Sequence, residues 1–117
     1  MGAMVVFTGH MLDRPGRVQP RFPAALERQV AKSIAAELAK IDPCCGFACA
    51  ACGGDILFLE AMIHLGKPIH VVLPCNRDEF VAACIAITGD NCANRRWEER
   101  FNAVVAYADK SEGTEQN

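Results

Sequence analysis

Short apolar runs alternate along this chain with longer stretches in which apolar residues return every third or fourth position. Met4-Val5-Val6-Phe7 is continuous and apolar and stops at Thr8-Gly9-His10, the pattern of a buried strand followed by a turn. Residues 11–23 contain Pro15, Gly16, Pro20 and Pro23, which rules out a regular element, and Arg14, Arg17 and Arg21 make this a basic loop. Leu26, Val30, Ile34, Leu38 and Ile41 then trace one stripe of a helix over 24–41, with Pro23 at its entrance and Asp42-Pro43 at its end. Residues 44–50, small and apolar, read as a second strand. Asp55 to Leu65 is apolar nearly all round and predicts a deeply buried helix, closed by Gly66 and Pro68.

Ile69-His70-Val71-Val72-Leu73 predicts a third strand. Asn76 is a natural N-cap for a helix from Arg77 to about Ile87, with Asp78 and Glu79 in its first turn. Thr88-Gly89-Asp90-Asn91 reads as a turn. Asn94 to Ala108 reads as a last helix with Trp97, Phe101, Val104, Val105 and Ala108 inward. The order predicts an α/β fold: a three-layer, Rossmann-like parallel sheet of about three strands with flanking helices, spanning residues 1–109. Strands that are apolar throughout suggest cover on both faces. Residues 110–117 are polar and read as a frayed tail, so no fourth strand is expected after the last helix. The sheet edge then calls for a second subunit, and a homodimer or higher homo-oligomer is expected.

Composition narrows the class. The chain has 117 residues, enough for one domain, and 51% are apolar, enough for a core without staples. The net charge of −2, with both signs interspersed, argues against nucleic acid as a partner. No run is long enough to span a membrane and no leader pattern opens the chain, so the expected location is cytoplasmic. Seven cysteines, an odd number, suit free thiols in a reducing compartment better than a disulfide scaffold. Cys49-Ala50-Ala51-Cys52 has C-x-x-C spacing but no second knuckle, so no metal and no cofactor is predicted. Cys52, at the end of a strand, is a candidate exposed thiol.

In a parallel sheet, ligands sit at the C-terminal ends of the strands. Those ends are Thr8-Gly9-His10, Cys52-Gly53-Gly54-Asp55 and Pro74-Cys75-Asn76-Arg77. Gly53 and Gly54 open a helix, where free N–H groups and the positive dipole end suit an anion, although a plain structural turn has the same spelling. Asp55 is either a helix cap or a carboxylate for ribose hydroxyls. Thr8 and Gly9 could line a pocket floor, and His10 is either structural or a general acid. Arg14 and Arg17 have the forked donors that match phosphate. Arg77 begins a helix, an unfavourable place for a cation unless a ligand or carboxylate faces it. Glu60 stands on an otherwise apolar helix, where a charge is costly unless paired, and an arginine of the basic loop is the expected partner if the residue is structural.

Taken together, Val5-Val6-Phe7-Thr8-Gly9-His10, Ala51-Cys52-Gly53-Gly54-Asp55 with Glu60-Ala61, and His70-Val71-Val72-Leu73-Pro74 with Arg77-Asp78-Glu79-Phe80 resemble the SLOG superfamily. These are Rossmann-like domains related to the LOG cytokinin-activating enzymes and to the DprA and YpsA proteins. Ile56 and Leu57 stand where the LOG motif has Gly-Thr, and Gly53-Gly54-Asp55 is closer to the Gly-Ala-Asp form of the DprA and YpsA branch. The resemblance implies a domain that binds or senses a nucleotide or nucleotide derivative, as in bacterial signalling or conflict systems. It implies ligand contacts from Thr8, Gly9, His10, Arg14, Cys52, Gly53, Gly54, Asp55, Pro74 and Arg77. It also carries an alternative, hydrolysis of an N-glycosidic bond with Glu60 as the catalytic residue. A third reading is a structural assembly domain. Sensing is favoured over catalysis because no nucleophile–base pair emerges from the spacing.

Overall fold

The protein is described by a computed structural model covering residues 2–110 and the backbone of Thr114–Gln116. Strand β1 spans Ala3–Val6. A short 3-10 turn over Ala24–Leu26 leads into helix α1, Glu27–Ile41. Then follow β2 (Pro43–Ala48), α2 (Gly54–His64), β3 (Ile69–Leu73), α3 (Arg77–Cys84), α4 (Asn91–Lys110) and β4 (Thr114–Gln116). Every neighbouring pair of strands is parallel, and the sheet order is β1-β2-β3-β4. The expected α/β class, a parallel sheet with flanking helices, is the one observed.

Local chemistry explains most boundaries. Asp42 takes a left-handed conformation with φ 54°, its N–H bonded to Leu38 O at 3.1 Å, and Pro43 then starts β2 in place of a further helical turn. Asn76 caps α3 as predicted: its Oδ1 accepts from Glu79 N–H at 2.9 Å and its Nδ2 donates to Glu79 Oε1 at 2.7 Å. Helix α4 begins three residues before the predicted start because Asp90 caps it, accepting from Cys92 N–H at 2.8 Å and Ala93 N–H at 3.1 Å. Thr114–Gln116 adds a short strand beside β3 where a frayed tail was expected. A ladder is made by backbone groups, so an edge strand needs no apolar side chains.

The layering departs from expectation. Strands taken in sequence order, joined by crossovers of one hand, put every crossover on the same face. Helices α1, α2 and α4 accordingly lie side by side over one face, α2 against β2 and β3 and α4 against β3 and β4. The core is there: Ile56, Phe58, Leu59 and Met62 of α2, Val71 and Leu73 of β3, and Phe101 and Val104 of α4 are almost fully buried. The opposite face carries no helix among the described residues. Met4 and Val6 are 66% and 74% exposed there, beside Cys45, Phe47, His70 and Val72, with Phe47 and His70 stacked 4.4 Å apart. The described residues therefore form two layers rather than three. The strand order also never reverses, so no topological switch point exists within this sheet. No helix among the described residues is long and apolar enough to cross a membrane.

Candidate functional site

Parallel strands place the tips after β1, β2 and β3 on one rim, and backbone hydrogen bonds tie them together. Gly54 N–H donates to His10 O at 3.1 Å, Leu12 N–H to Cys52 O at 3.2 Å and Cys52 N–H to Cys84 O at 2.9 Å. Arg14 Nη2 donates to Ala83 O at 2.7 Å, and Met11 and Gly53 form an antiparallel bridge. Thr8-Gly9-His10, residues 49–54 and the end of α3 therefore form one surface.

The glycines serve this docking of chain on chain. Gly53 has φ 109°, and a Cβ there would lie 2.8 Å from both His10 O and Leu12 N. A Cβ on Gly9 would lie 2.7 Å from the Phe7 ring, and one on Gly54 would lie 3.4 Å from the Gly9 Cα. At the start of α2, the Gly54 N–H is held by His10 O and the Ile56 N–H lies 3.3 Å from Ala51 O. The Gly54 amide that the sequence offered to a phosphate thus holds the β1 loop in place.

Asp55 is the only buried charged residue among those described, at 8% exposure. It is the second residue of α2, whose N-cap is Gly53, so it is not the cap. Its Oδ2 accepts from Ala51 N–H at 3.3 Å, and Oδ1 is enclosed and meets no well-aligned donor among the described residues, the Gly9 N–H being the other group that acts on the carboxyl. Burial raises the pKa of its carboxyl, and the N–H groups of Ala51 and Gly9 partly oppose that rise. Gly9, with Thr8 and His10, lines an open hollow of about 290 Å³ on the rim.

A second hollow of about 180 Å³ adjoins it through His10 and is lined by Met11, Leu12, Arg14, Arg17 and Arg21. The loop that supplies these arginines is pinned by Asp13, which sequence reasoning passed over. Its Oδ1 accepts from Phe22 N–H at 2.9 Å and Arg21 N–H at 3.0 Å. These bonds, the one from Phe22 first, lower its pKa. Leu12 and Phe22 are buried on either side as apolar anchors. The signal was legible: a leucine and a phenylalanine in a proline-rich loop are costly to leave in water.

Other expected contacts lie apart from these hollows. Glu60 accepts from Arg100 Nη2 at 2.6 Å and Nε at 2.8 Å, and Arg100 Nη1 reaches Glu27 Oε2 at 3.1 Å. The guanidinium also lies 4.2 Å from the centre of the Trp97 ring, and its pairing with Glu60 raises its pKa. Glu60 and Arg100 line a separate hollow of about 400 Å³ between α1 and α2, floored by Ala31, Ala35 and Ala61. The pairing foreseen for Glu60 exists, but with an arginine of α4 rather than of the basic loop. Arg77 donates to Asn102 Oδ1 at 2.6 Å and lies 5.3 Å from the centre of the Phe101 ring, which accounts for a cation at that helix start. Pro74 is exposed in the turn after β3. Cys52, expected as an exposed thiol, is fully buried, and burial pushes its pKa up to about 11. Among the described residues no group of three or more His, Cys, Asp or Glu is arranged to hold a metal ion. Comparison of the chain with protein-family models, curated proteins and solved structures found no match.

Proposed function

We propose that the rim binds a small anionic ligand of the nucleotide class and that the protein acts as a binding or sensing module. The observation that carries this reading is the adjoining pair of rim hollows, one lined by Thr8, Gly9 and His10 and the other by Arg14, Arg17 and Arg21. Asp55, buried at 8% exposure behind Gly9, costs the fold stability as an anion, and a perturbed carboxyl beside an open rim supports a binding site there. Arg14, Arg17 and Arg21, presented by a pinned loop, supply cationic forks for phosphate oxygens. Thr8, Gly9 and His10 line the hollow beside them, where a ribose and base can lie. Asp55 lies behind this wall, its carboxyl within reach of the Gly9 N–H, and holds Gly9 in place for the ribose. The similarity of the rim sequences to the SLOG superfamily points the same way. In this reading Gly53 and Gly54 shape the rim rather than touch phosphate, and seven free thiols suit a reducing, cytoplasmic setting.

Thermal melting with AMP, NAD and inorganic phosphate tests the proposal. At a hundredfold excess of ligand over Kd, stabilisation of about 2.7 kcal/mol is expected for a nucleotide that binds only the folded state. Arg17→Ala with Arg21→Ala should weaken every phosphate-bearing ligand, whereas Asp55→Asn should weaken nucleotides and spare inorganic phosphate. Absence of any shift with nucleotides, or shifts indifferent to these substitutions, overturns it. Release of free base in the same mixtures would favour the hydrolase alternative.

A further inference from the structure

The outer edge of β1 combines unpaired backbone with apolar surface on both sides. In a parallel ladder, alternate residues of a strand bond to a given neighbour. Ala3 N–H reaches Asp42 O at 3.2 Å and Phe7 N–H reaches Phe47 O at 3.0 Å. The peptide groups of Met4 and Val6 therefore point outward, to a side on which no described strand lies. Their side chains stand exposed on the bare face of the sheet. On the helix side, Val5 and Phe7 open into a crevice of about 220 Å³ walled by Ile34, Leu38, Ile41 and Phe58. Proteins commonly blunt such an edge with lysine or proline, and Ala3–Val6 contains neither and no charge at all.

We propose that this edge is completed by β1 of a second copy, antiparallel about a two-fold axis at Val5. The inference does not rest on the ligand reading. Three features favour a second copy over a foreign strand. An uncharged edge meets its own image without like-charge repulsion. A two-fold at Val5 sets Met4 of one copy opposite Val6 of the other, so outward side chains meet outward ones, and the outward peptide groups exchange both hydrogen bonds. The same axis lays α1 antiparallel beside its copy over the apolar crevice. There Glu37 and Lys40, exposed and paired within one chain at 3.4 Å, present an acid and a base to their images. The result is one continuous sheet through both protomers, an isologous interface.

Mass by light scattering, with hydrogen exchange of individual amides, tests this. The wild-type protein should show twice the 12.7 kDa mass of the chain, with slow exchange at Met4 and Val6. Val6→Pro removes an outward N–H, and Met4→Lys with Val6→Lys sets lysines opposite lysines. Both should yield a monomer with an unchanged circular-dichroism spectrum, since these side chains are mostly exposed. Hydrogen exchange on the wild type stands independently of whether either variant folds. A wild-type monomer with fast exchange at Met4 and Val6 overturns the proposal. So does a dimer in which those amides exchange freely, because that dimer would be joined through the bare face of the sheet. A dimer with protected amides that survives both substitutions overturns it as well.

Discussion

At the scale of single residues, two groups carry opposite meanings. Asp55 is destabilised as an anion by burial, and this has a signed consequence. A carboxyl whose folded pKa is raised contributes stability that is fully present below its ordinary value of 3.8 and lost as pH rises through the folded value. The stability of Asp55→Asn relative to the wild type should therefore increase with pH across that window and level off above it. Urea unfolding of both proteins at a series of pH values measures this, and a difference that does not vary with pH contradicts it. Cys52 is buried and its thiol is held protonated at neutral pH, so alkylation followed by mass spectrometry should label Cys44, Cys49 and Cys92 well before Cys52. The sequence placed both residues at a strand end but could not say how far packing would enclose them.

At the scale of elements, the strand-to-helix turn into α2 answers a question the sequence left open. Two glycines before an apolar helix serve a phosphate or a close approach of chains equally well. The observed use is the second. Gly53→Ala should cost about 2–3 kcal/mol, because a Cβ would strike the backbone of the 10–12 segment at a φ of 109°. Gly66→Ala should cost only about 1 kcal/mol, since its φ of 72° is unfavourable but nothing lies within 4 Å of its Cβ position. Paired melts of the two variants give the comparison. Between elements, Arg100 bridges Glu60 of α2 and Glu27 of α1 from α4 and covers Trp97. Arg100→Ala leaves two carboxylates facing each other and should destabilise by roughly 1–3 kcal/mol, whereas Glu60→Gln should cost less and leave nucleotide affinity unchanged. Loss of nucleotide binding in Glu60→Gln would move the site away from the rim.

At the scale of the whole molecule, the sheet, which the described residues cover on one face and leave open along β1, is an incomplete enclosure. A 117-residue chain has apolar surface to spare; Met4 and Val6, with half-buried Phe47 and Val72 beside them, carry part of it, and Val18, Leu26, Ile41 and Leu65 carry more elsewhere. If β1 joins two copies, stability is tied to concentration, and the melting temperature should rise with protein concentration over two to three decades. A melting temperature independent of concentration points to a monomer.

The sequence alone determined the class and the strands and helices up to α4, but not the short β4, which rests on backbone bonds alone. Apolar periodicity, Pro43, Gly66 and the Asn76 cap act through neighbours a few residues away, and a linear reading captures such local effects. It also determined that three loop tips share one rim, because parallel strands allow nothing else. Only the tertiary structure decided which face the helices cover, that Glu60 meets Arg100 forty residues away, and that the His10 carbonyl occupies the Gly54 amide. Those outcomes depend on strand order and on side chains distant in the chain competing for the same space, and no local pattern encodes the winner.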